Sequence, residues 1–199
     1  MGNTTIGTNR LEAFSDGVIA IIITIMVLEL KAPHDTSLHE LIKLSPVFLS
    51  YMLSFLVVAI MWVNHHHLLH TAMKVDGSLL WANNNLLFWM SLIPFVMAFL
   101  GENPKAPLAV AIYGVVLTAA ATSFTLLRYV VSQHHLDDED MSAHNRRIQR
   151  KNALSNLLYA SSIPLAFLSI YLSFFIFVFI PVLYFMPERK LAERSKVGA

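Results

Sequence analysis

Long apolar segments separated by short polar stretches set the pattern of this chain. Six such segments are predicted, at about residues 11–30, 44–64, 79–100, 106–131, 153–168 and 170–186. A helix of about 20 residues is roughly 30 Å long, which is enough to cross a bilayer. The last two segments form one apolar run that is too long for a single span, so it is divided near Ser169. The pattern predicts an all-α polytopic membrane protein, with residues 1–199 forming a single domain of six transmembrane helices.

The first apolar segment differs from the others because it carries acidic residues within its span. The segment reads Arg10-Leu-Glu-Ala-Phe14-Ser15-Asp16-Gly17, and among the next thirteen residues only Thr24 and Glu29 are not apolar. An aspartate at the centre of a lipid-facing helix costs about 2.5 to 3.5 kcal/mol on insertion scales. Asp16 must therefore face protein or water, and its surroundings should indicate what the protein does.

Helical geometry separates this segment into two faces. At 100° per residue, one narrow stripe within about 60° contains Gly17, Ile21, Thr24 and Leu28. Asp16 points about 110° away from the centre of that stripe. The stripe is expected to be a packing seam or the lining of a path, whereas the carboxylate should be hydrogen-bonded inside the subunit or at its cytoplasmic end.

Composition supports a membrane protein and excludes other classes. The chain is 56% hydrophobic and only 14% charged, with a mean hydropathy of +0.58, which is too apolar for a soluble domain of this length. A net charge of +1 argues against a nucleic-acid partner. The absence of cysteine excludes disulfides and thiolate chemistry. The first apolar run is not expected to be a cleaved signal peptide, because Glu29 and Lys31 follow it instead of a small-residue cleavage site.

The distribution of Lys and Arg predicts the orientation in the membrane. With six spans, 11 of these residues lie on the side of the N-terminus: Arg10, Lys74, Arg128, Arg146, Arg147, Arg150, Lys151, Arg189, Lys190, Arg194 and Lys196. The other side has only Lys31, Lys43 and Lys105. We therefore expect a multi-pass protein of the cell membrane with both termini in the cytoplasm. Asp16 and the histidines near residue 65 should then lie at the same cytoplasmic level.

Histidines cluster after the second apolar segment, in the run His65-His66-His67 followed by His70. Their spacings could hold zinc, and with Asp16 or Asp76 they would resemble an intramembrane metal site. Consecutive histidines point in different directions on a helix, however, and no His-Glu-x-x-His pattern is present. We expect no metal site, no cofactor and no catalytic centre. The acidic run at residues 137–140 and the basic residues after it are expected to form a solvated loop.

The motif Arg10-x-x-x-Phe14-Ser15-Asp16 resembles the signature that opens the first helix in the transmembrane protein 175 family of potassium channels. The resemblance continues along the chain through Trp62-x-Asn64-His65-His66, Asp76, Trp81-x-Asn83, Pro94-Phe95, residues 163–167 and the Pro187-Glu-Arg tail. It implies a six-helix subunit that assembles as a homotetramer around a pore lined by the first helix. The Thr-Val-Gly-Tyr-Gly filter of ordinary potassium channels is absent from this chain, as it is from the family.

The resemblance also implies roles for individual residues. Ile21 would form a hydrophobic constriction, Thr24 would present a hydroxyl beside it, and Leu28 would continue the stripe. A network around the signature would contain Arg10, Phe14, Ser15, Asp16, Trp62, Asn64, His65 and His66. The implied partners are potassium ions, the lipid bilayer and further copies of the chain.

Alternatives remain for these residues and for the function. Ile21 and Leu28 could be packing residues, Thr24 could bond to the carbonyl of Ala20 or Ile21, and Asp16 could be a helix N-terminal cap. The resemblance implies a passive potassium-permeable channel and not an enzyme. The alternative is a proton-coupled secondary transporter that uses Asp16 and the His65/His66 cluster, although we find no clear internal repeat of the kind such transporters carry.

Overall fold

The computed structural model describes residues 7–33, 35–72, 74–133 and 139–185, and side chains within these ranges except at 139–150 and 185. In these ranges every regular element is an α-helix. The helices are α1 (Thr8–Leu28), α2 (Leu38–Lys43), α3 (Ser45–His70), α4 (Gly77–Ser91), α5 (Ile93–Glu102), α6 (Pro107–Ser132), α7 (Glu139–Leu168) and α8 (Ile170–Phe185). The prediction of an all-α fold is confirmed.

Four helical stretches in the described part of the chain are long and apolar enough to cross a membrane. They are Thr8–Leu28, Ser45–His70, Gly77–Glu102 and Pro107–Ser132, and a shorter apolar helix covers Ile170–Tyr184. The third stretch combines α4 and α5, which are separated by a turn at Leu92. Pro94 lies in the first turn of α5, where its missing N–H costs no intrahelical hydrogen bond. The chain is therefore a membrane protein by the length and composition of its helices.

Two helices extend beyond the apolar segments that predicted them. Helix α3 continues to His70, so the whole histidine cluster lies on the helix and not in a loop after it. Helix α7 begins at Glu139, so the backbone is already helical in part of the polar stretch that we expected to be a loop. Apolar periodicity gives the part of a helix that needs an apolar environment, whereas backbone hydrogen bonds continue into polar sequence.

Local signals explain several helix boundaries. Asp76 accepts a hydrogen bond from the backbone N–H of Leu79 at 2.9 Å and so caps α4. The hydroxyl of Ser37 accepts one from the N–H of Glu40 and caps the short helix α2. Proline opens α6 at Pro107, a position where the ring fits the helix and no N–H is needed.

Helix α6 lies at the centre of the packed helices, with contacts to α3, α4, α5, α7 and α8. Its Tyr113 is fully buried, and the hydroxyl group shares a hydrogen bond of 2.9 Å with Ser54 of α3. The Tyr113 ring also meets Phe177 of α8 edge to face at 5.0 Å between centroids. A buried hydroxyl with a partner avoids the desolvation penalty, so this position fixes α3, α6 and α8 relative to one another.

Gly101 allows α5 to lie directly against α3. A Cβ atom at this position would lie 2.7 Å from Oγ of Ser50 and 2.8 Å from Cα of Val47. The second contact is with backbone and cannot be relieved by rotating a side chain. We expect Gly101→Ala to destabilise the fold by about 1 to 3 kcal/mol through overpacking. Thermal unfolding of the purified protein measures this, and Gly77→Ala, where an added Cβ meets open space, is the matched control.

Candidate pore helix and its hydrogen-bonded support

Helix α1 has one face packed inside the subunit and one face exposed. The buried positions are Leu11, Ser15, Ile19, Ile22 and Met26. The predicted stripe of Gly17, Ile21, Thr24 and Leu28 is exposed along its whole length. Ile21 and Leu28 are 60% and 69% exposed, whereas Ile22 next to Ile21 is 2% exposed. The two faces lie on opposite sides of the helix, so the stripe does not contribute to the core of its own subunit.

The buried face of α1 packs against α3, α4 and α5. Most of its contacts are aliphatic, and the polar Ser15 is placed among them with no exposed surface. A buried hydroxyl in such surroundings needs partners. The side chain that meets Ser15 is Asn83 of α4, which in turn bonds to His65 near the end of α3.

A directed chain of hydrogen bonds runs through Ser15. Nε2 of His65 lies 2.7 Å from Oδ1 of Asn83, and Nδ2 of Asn83 donates to Oγ of Ser15 at 3.0 Å. Ser15 then donates to the backbone carbonyl of Leu11 at 2.9 Å. Because Asn83 uses its NH₂ group toward Ser15, its carbonyl oxygen must accept from His65, which places the imidazole proton on Nε2. His65, Asn83 and Ser15 are all fully buried, so this chain joins α1, α3 and α4 in the interior.

Asp16 has a different partner from its neighbour in the sequence. Nε1 of Trp62 donates to Oδ1 of Asp16 at 2.9 Å. Asp16 is half-buried and Trp62 is exposed. The carboxylate thus points away from the exposed stripe and toward α3. Since α1 begins at Thr8 and Gly7 is its N-cap residue, Asp16 lies within the helix, and the alternative of an N-terminal cap is wrong.

A third contact joins the start of α1 to the end of α3. Oε1 of Glu12 lies 2.6 Å from Nδ1 of His66 and 3.6 Å from Nε2 of His70. The rings of His66 and His70 meet edge to face at 4.4 Å between centroids, and Trp62 stacks on His66. Glu12, Ser15 and Asp16 therefore each reach α3 directly or through one side chain.

The structure separates the remaining predicted network residues from these contacts. Arg10 is exposed; its backbone N–H donates to the carbonyl of Gly7, but its side chain makes no hydrogen bond or ion pair with another described residue. Phe14 is 56% exposed. Asn64 donates to the carbonyl of Ile60 in its own helix at 2.8 Å. Five of the eight residues in the predicted network take part in hydrogen bonds that connect α1 with α3, either directly or through Asn83 of α4. They are Ser15, Asp16, Trp62, His65 and His66.

Thr24 is exposed on the stripe, and its hydroxyl donates to the carbonyl of Ala20 at 2.8 Å. This is the back-bonding alternative that the sequence left open. A hydroxyl that donates one hydrogen bond keeps its acceptor lone pairs. The bond to Ala20 therefore fixes the orientation of the oxygen without removing its capacity to accept.

Two contributors to this region were not selected from the sequence. Asn83 belongs to the resembling motif Trp81-x-Asn83, yet its bridging position between Ser15 and His65 depends on how α3 and α4 both pack against α1. The sequence suggested Asp16 or Asp76 as the carboxylate beside the histidines, but in the structure that carboxylate is Glu12. Its spacing of one helical turn from Asp16 was the available signal, since residues four apart share a helix face.

Comparisons with known proteins relate the chain to one family. Residues 10–94 match the family model described as the endosomal/lysosomal potassium channel TMEM175. A potassium channel of Chryseobacterium sp. (strain P1-3) is 39% identical over 189 residues, which cover 94% of this chain and 97% of that protein. An endosomal/lysosomal proton channel TMEM175 of Gallus gallus is 24% identical, and the match covers 94% of this chain but 38% of that longer protein.

A solved structure from the same family has a similar fold. The crystal structure of a lysosomal potassium-selective channel TMEM175 homologue from Chamaesiphon minutus superposes with a TM-score of 0.77 at 30% identity. The superposition covers 89% of this chain and 95% of that chain. These relatives are named as ion channels and not as enzymes. The chain is a prokaryotic member of the TMEM175 family of ion channels.

Proposed function

We propose that this protein is a passive, potassium-permeable channel of the cell membrane, in which a homotetramer surrounds a pore lined by α1. Each subunit would cross the membrane six times, with both termini in the cytoplasm. The observation that carries the proposal is the exposed stripe on α1, opposite to the face that is packed in the subunit. The bacterial relatives are named as potassium channels.

The hydrogen bonds at the start of α1 support a fixed orientation of the stripe. Ser15 bonds inward through Asn83, and Asp16 bonds sideways to Trp62. A helix held at two angular positions cannot rotate about its axis without breaking one of them. Ile21 and Thr24 would therefore face the same direction in every subunit, as a symmetric pore requires.

The side chains on the stripe suit conduction without a carbonyl filter. A ring of Ile21 side chains is apolar and would gate by excluding water. Thr24 adds the only side-chain hydroxyl on the stripe between Gly17 and Leu28, and its lone pairs could replace part of an ion's hydration shell. No charged residue lies on this face between Ile21 and Leu28. These features favour modest selectivity by partial ion dehydration.

The transporter alternative is less well supported by the contacts. Asp16 is engaged with Trp62, and His65 is engaged with Asn83 in the interior. A proton-coupled site needs carboxylates or imidazoles that substrate or water can reach in turn. His65 has no exposed surface, so it is poorly placed for that exchange.

Cross-linking of cysteine variants tests the lining helix in this cysteine-free chain. Cys introduced at Ile21 or Leu28 should be trapped as subunit dimers by oxidation, whereas Cys at the buried Ile22 should not. Recording in bilayers with asymmetric potassium and sodium should then show currents that reverse toward the potassium equilibrium potential. Equal trapping at Ile22 would exclude α1 as the lining helix, and flux that saturates and depends on a proton gradient would favour the transporter.

Thr24→Ala should reduce the preference for potassium over sodium while conduction continues. The substitution removes the hydroxyl but leaves the Ala20 carbonyl in its helical hydrogen bond, so the fold should not change. A coordination contribution of about 1 kcal/mol corresponds to a several-fold fall in the permeability ratio. Reversal potentials measure it, and Thr24→Ser, which keeps the hydroxyl, is the control. An unchanged ratio in Thr24→Ala would place selectivity elsewhere.

A further inference from the structure

Three side chains of the types that bind metals meet between α1 and α3, and none of them belongs to the proposed pore lining. This cluster consists of Glu12 of α1 with His66 and His70 of α3. Each offers one donor atom, and these atoms lie within 4.8 Å of one another. Within the described part of the chain, this is the one group of at least three such residues that could hold a metal ion.

The donor distances suit a tetrahedral ion after small movements. Zinc bonds to imidazole nitrogen and carboxylate oxygen are about 2.0 to 2.2 Å long, so tetrahedral donors lie about 3.3 Å apart. Oε1 of Glu12 is 2.6 Å from Nδ1 of His66 and 3.6 Å from Nε2 of His70, which bracket that value. The side chains of His66 and His70 are 40% and 61% exposed, so both rings have room to adjust.

The positions of the side chains are largely set before any ion binds. His66 and His70 are four residues apart on α3, a spacing that places both rings on the same helix face. Trp62 stacks on His66, and His66 meets His70 edge to face, so these contacts keep both rings on this side of α3 and leave room for small shifts. Glu12 is held opposite them by the packing of α1, and its side chain is 18% exposed.

Two imidazoles and a carboxylate with an open fourth position form a ligand set that zinc uses in proteins. Imidazole ligands also exclude magnesium and calcium as the preferred occupants, since those ions favour oxygen ligands. We infer that Glu12, His66 and His70 form a Zn²⁺-binding site that joins the start of α1 to the end of α3. This inference reverses the expectation from the sequence, in which the histidines bind no metal.

A bound ion would strengthen the contact that Glu12 of α1 already makes with His66 and His70 of α3. Glu12 lies one helical turn before Asp16, so a bound ion would act next to the Asp16–Trp62 bond and the Ser15–Asn83 bond. A metal ion that binds only the folded state stabilises that state, and above the dissociation constant the stabilisation grows with the logarithm of the free metal concentration. The zinc-binding proposal can hold or fail independently of the proposed channel function, because its three ligands join α1 to α3 and none of them lies on the exposed stripe.

Binding of Zn²⁺ to the purified full-length protein tests the site without any current measurement. The protein would be prepared without a polyhistidine tag, freed of metal with a chelator, and titrated with Zn²⁺ by calorimetry and by thermal unfolding. We expect one Zn²⁺ per chain at this site and a rise in melting temperature. Loss of even an outer-shell partner weakens metal sites by about 10- to 100-fold, so His70→Gln should weaken binding at least about tenfold.

His67→Gln is the matched control, because His67 is an exposed neighbour on α3 outside the cluster. This variant should bind Zn²⁺ as the parent protein does. The control is needed because the chain has nine histidines, and any of them could bind Zn²⁺ weakly. In the absence of metal, His70→Gln should melt at the parent temperature, since His70 is exposed. The inference is overturned if the parent protein gains no stability from Zn²⁺, or if His70→Gln and His67→Gln bind it equally well.

Discussion

Ile21→Asn should raise the resting leak of the reconstituted channel. An apolar ring opposes ions by excluding the water that would hydrate them, and an amide at the same position holds water in the path. Lowering the barrier by about 1.4 kcal/mol would increase the flux about tenfold. Single-channel and macroscopic recordings in symmetric potassium, with no opening stimulus applied, measure the effect. It is the largest functional effect that we expect from one side chain, because no other residue is proposed to close the path.

Val27→Asn is the matched control for this experiment. Val27 lies on the same helix and is 45% exposed, but it points about 120° away from Ile21. It introduces the same amide at a similar exposure without entering the stripe, so its leak should match the parent. Ile21→Phe should reduce conduction and leave thermal stability unchanged, since an exposed position has room that a packed core lacks. Parent currents in Ile21→Asn would move the constriction to Leu28.

Asn83→Ala should destabilise the subunit more than any other polar substitution near α1. Asn83 is fully buried and serves two partners, the hydroxyl of Ser15 and the imidazole of His65. Truncation leaves a buried donor on His65 and removes a partner from Ser15, at about 1 to 3 kcal/mol for each stranded group. We expect a clear fall in melting temperature. Because α1 loses its inward connection, we also expect the proposed tetramer to be lost on size-exclusion chromatography.

Asn84→Ala separates this effect from the loss of an asparagine in general. Asn84 is the next residue on α4, but it is exposed, so its removal should leave the melting temperature and the oligomer unchanged. Asn83→Asp keeps one acceptor for His65 and should be less harmful than Asn83→Ala if protein contacts decide the outcome. If Asn83→Ala and Asn84→Ala have the same melting temperature, the chain of hydrogen bonds through Ser15 does not hold α1 in place.

The membrane-protein class and the two faces of α1 could be predicted from the sequence because each depends on local order. Apolar runs of about 20 residues require helices in a bilayer, and a fixed angle per residue separates Ile21 and Thr24 from Asp16. The stripe predicted in this way is the exposed face of α1. The same reasoning turned the carboxylate of Asp16 away from the stripe and toward a hydrogen-bond partner, which is Trp62 of α3.

Helix lengths were less predictable, since hydropathy measures the environment that a segment needs and not where its backbone hydrogen bonds end. Helix α3 therefore extends through the polar histidines, and α7 begins at Glu139 in charged sequence. The short helix α2 has no buried residue, and no apolar run in the sequence predicted it. Its signal was the Ser37 cap three residues before Glu40.

Only the tertiary structure decided which polar side chains meet. Sequence placed Ser15, Asn64 and His65 in one network, but Asn64 bonds back to its own helix. The side chain of Asn83 in α4 completes the connection between Ser15 and His65. Glu12 and not Asp16 meets His66 and His70. Such pairings depend on the rotation and depth at which whole helices pack, and a shift of one residue along a helix turns a side chain by about 100°. Local pattern fixes which face is polar, whereas packing between distant segments selects the partner.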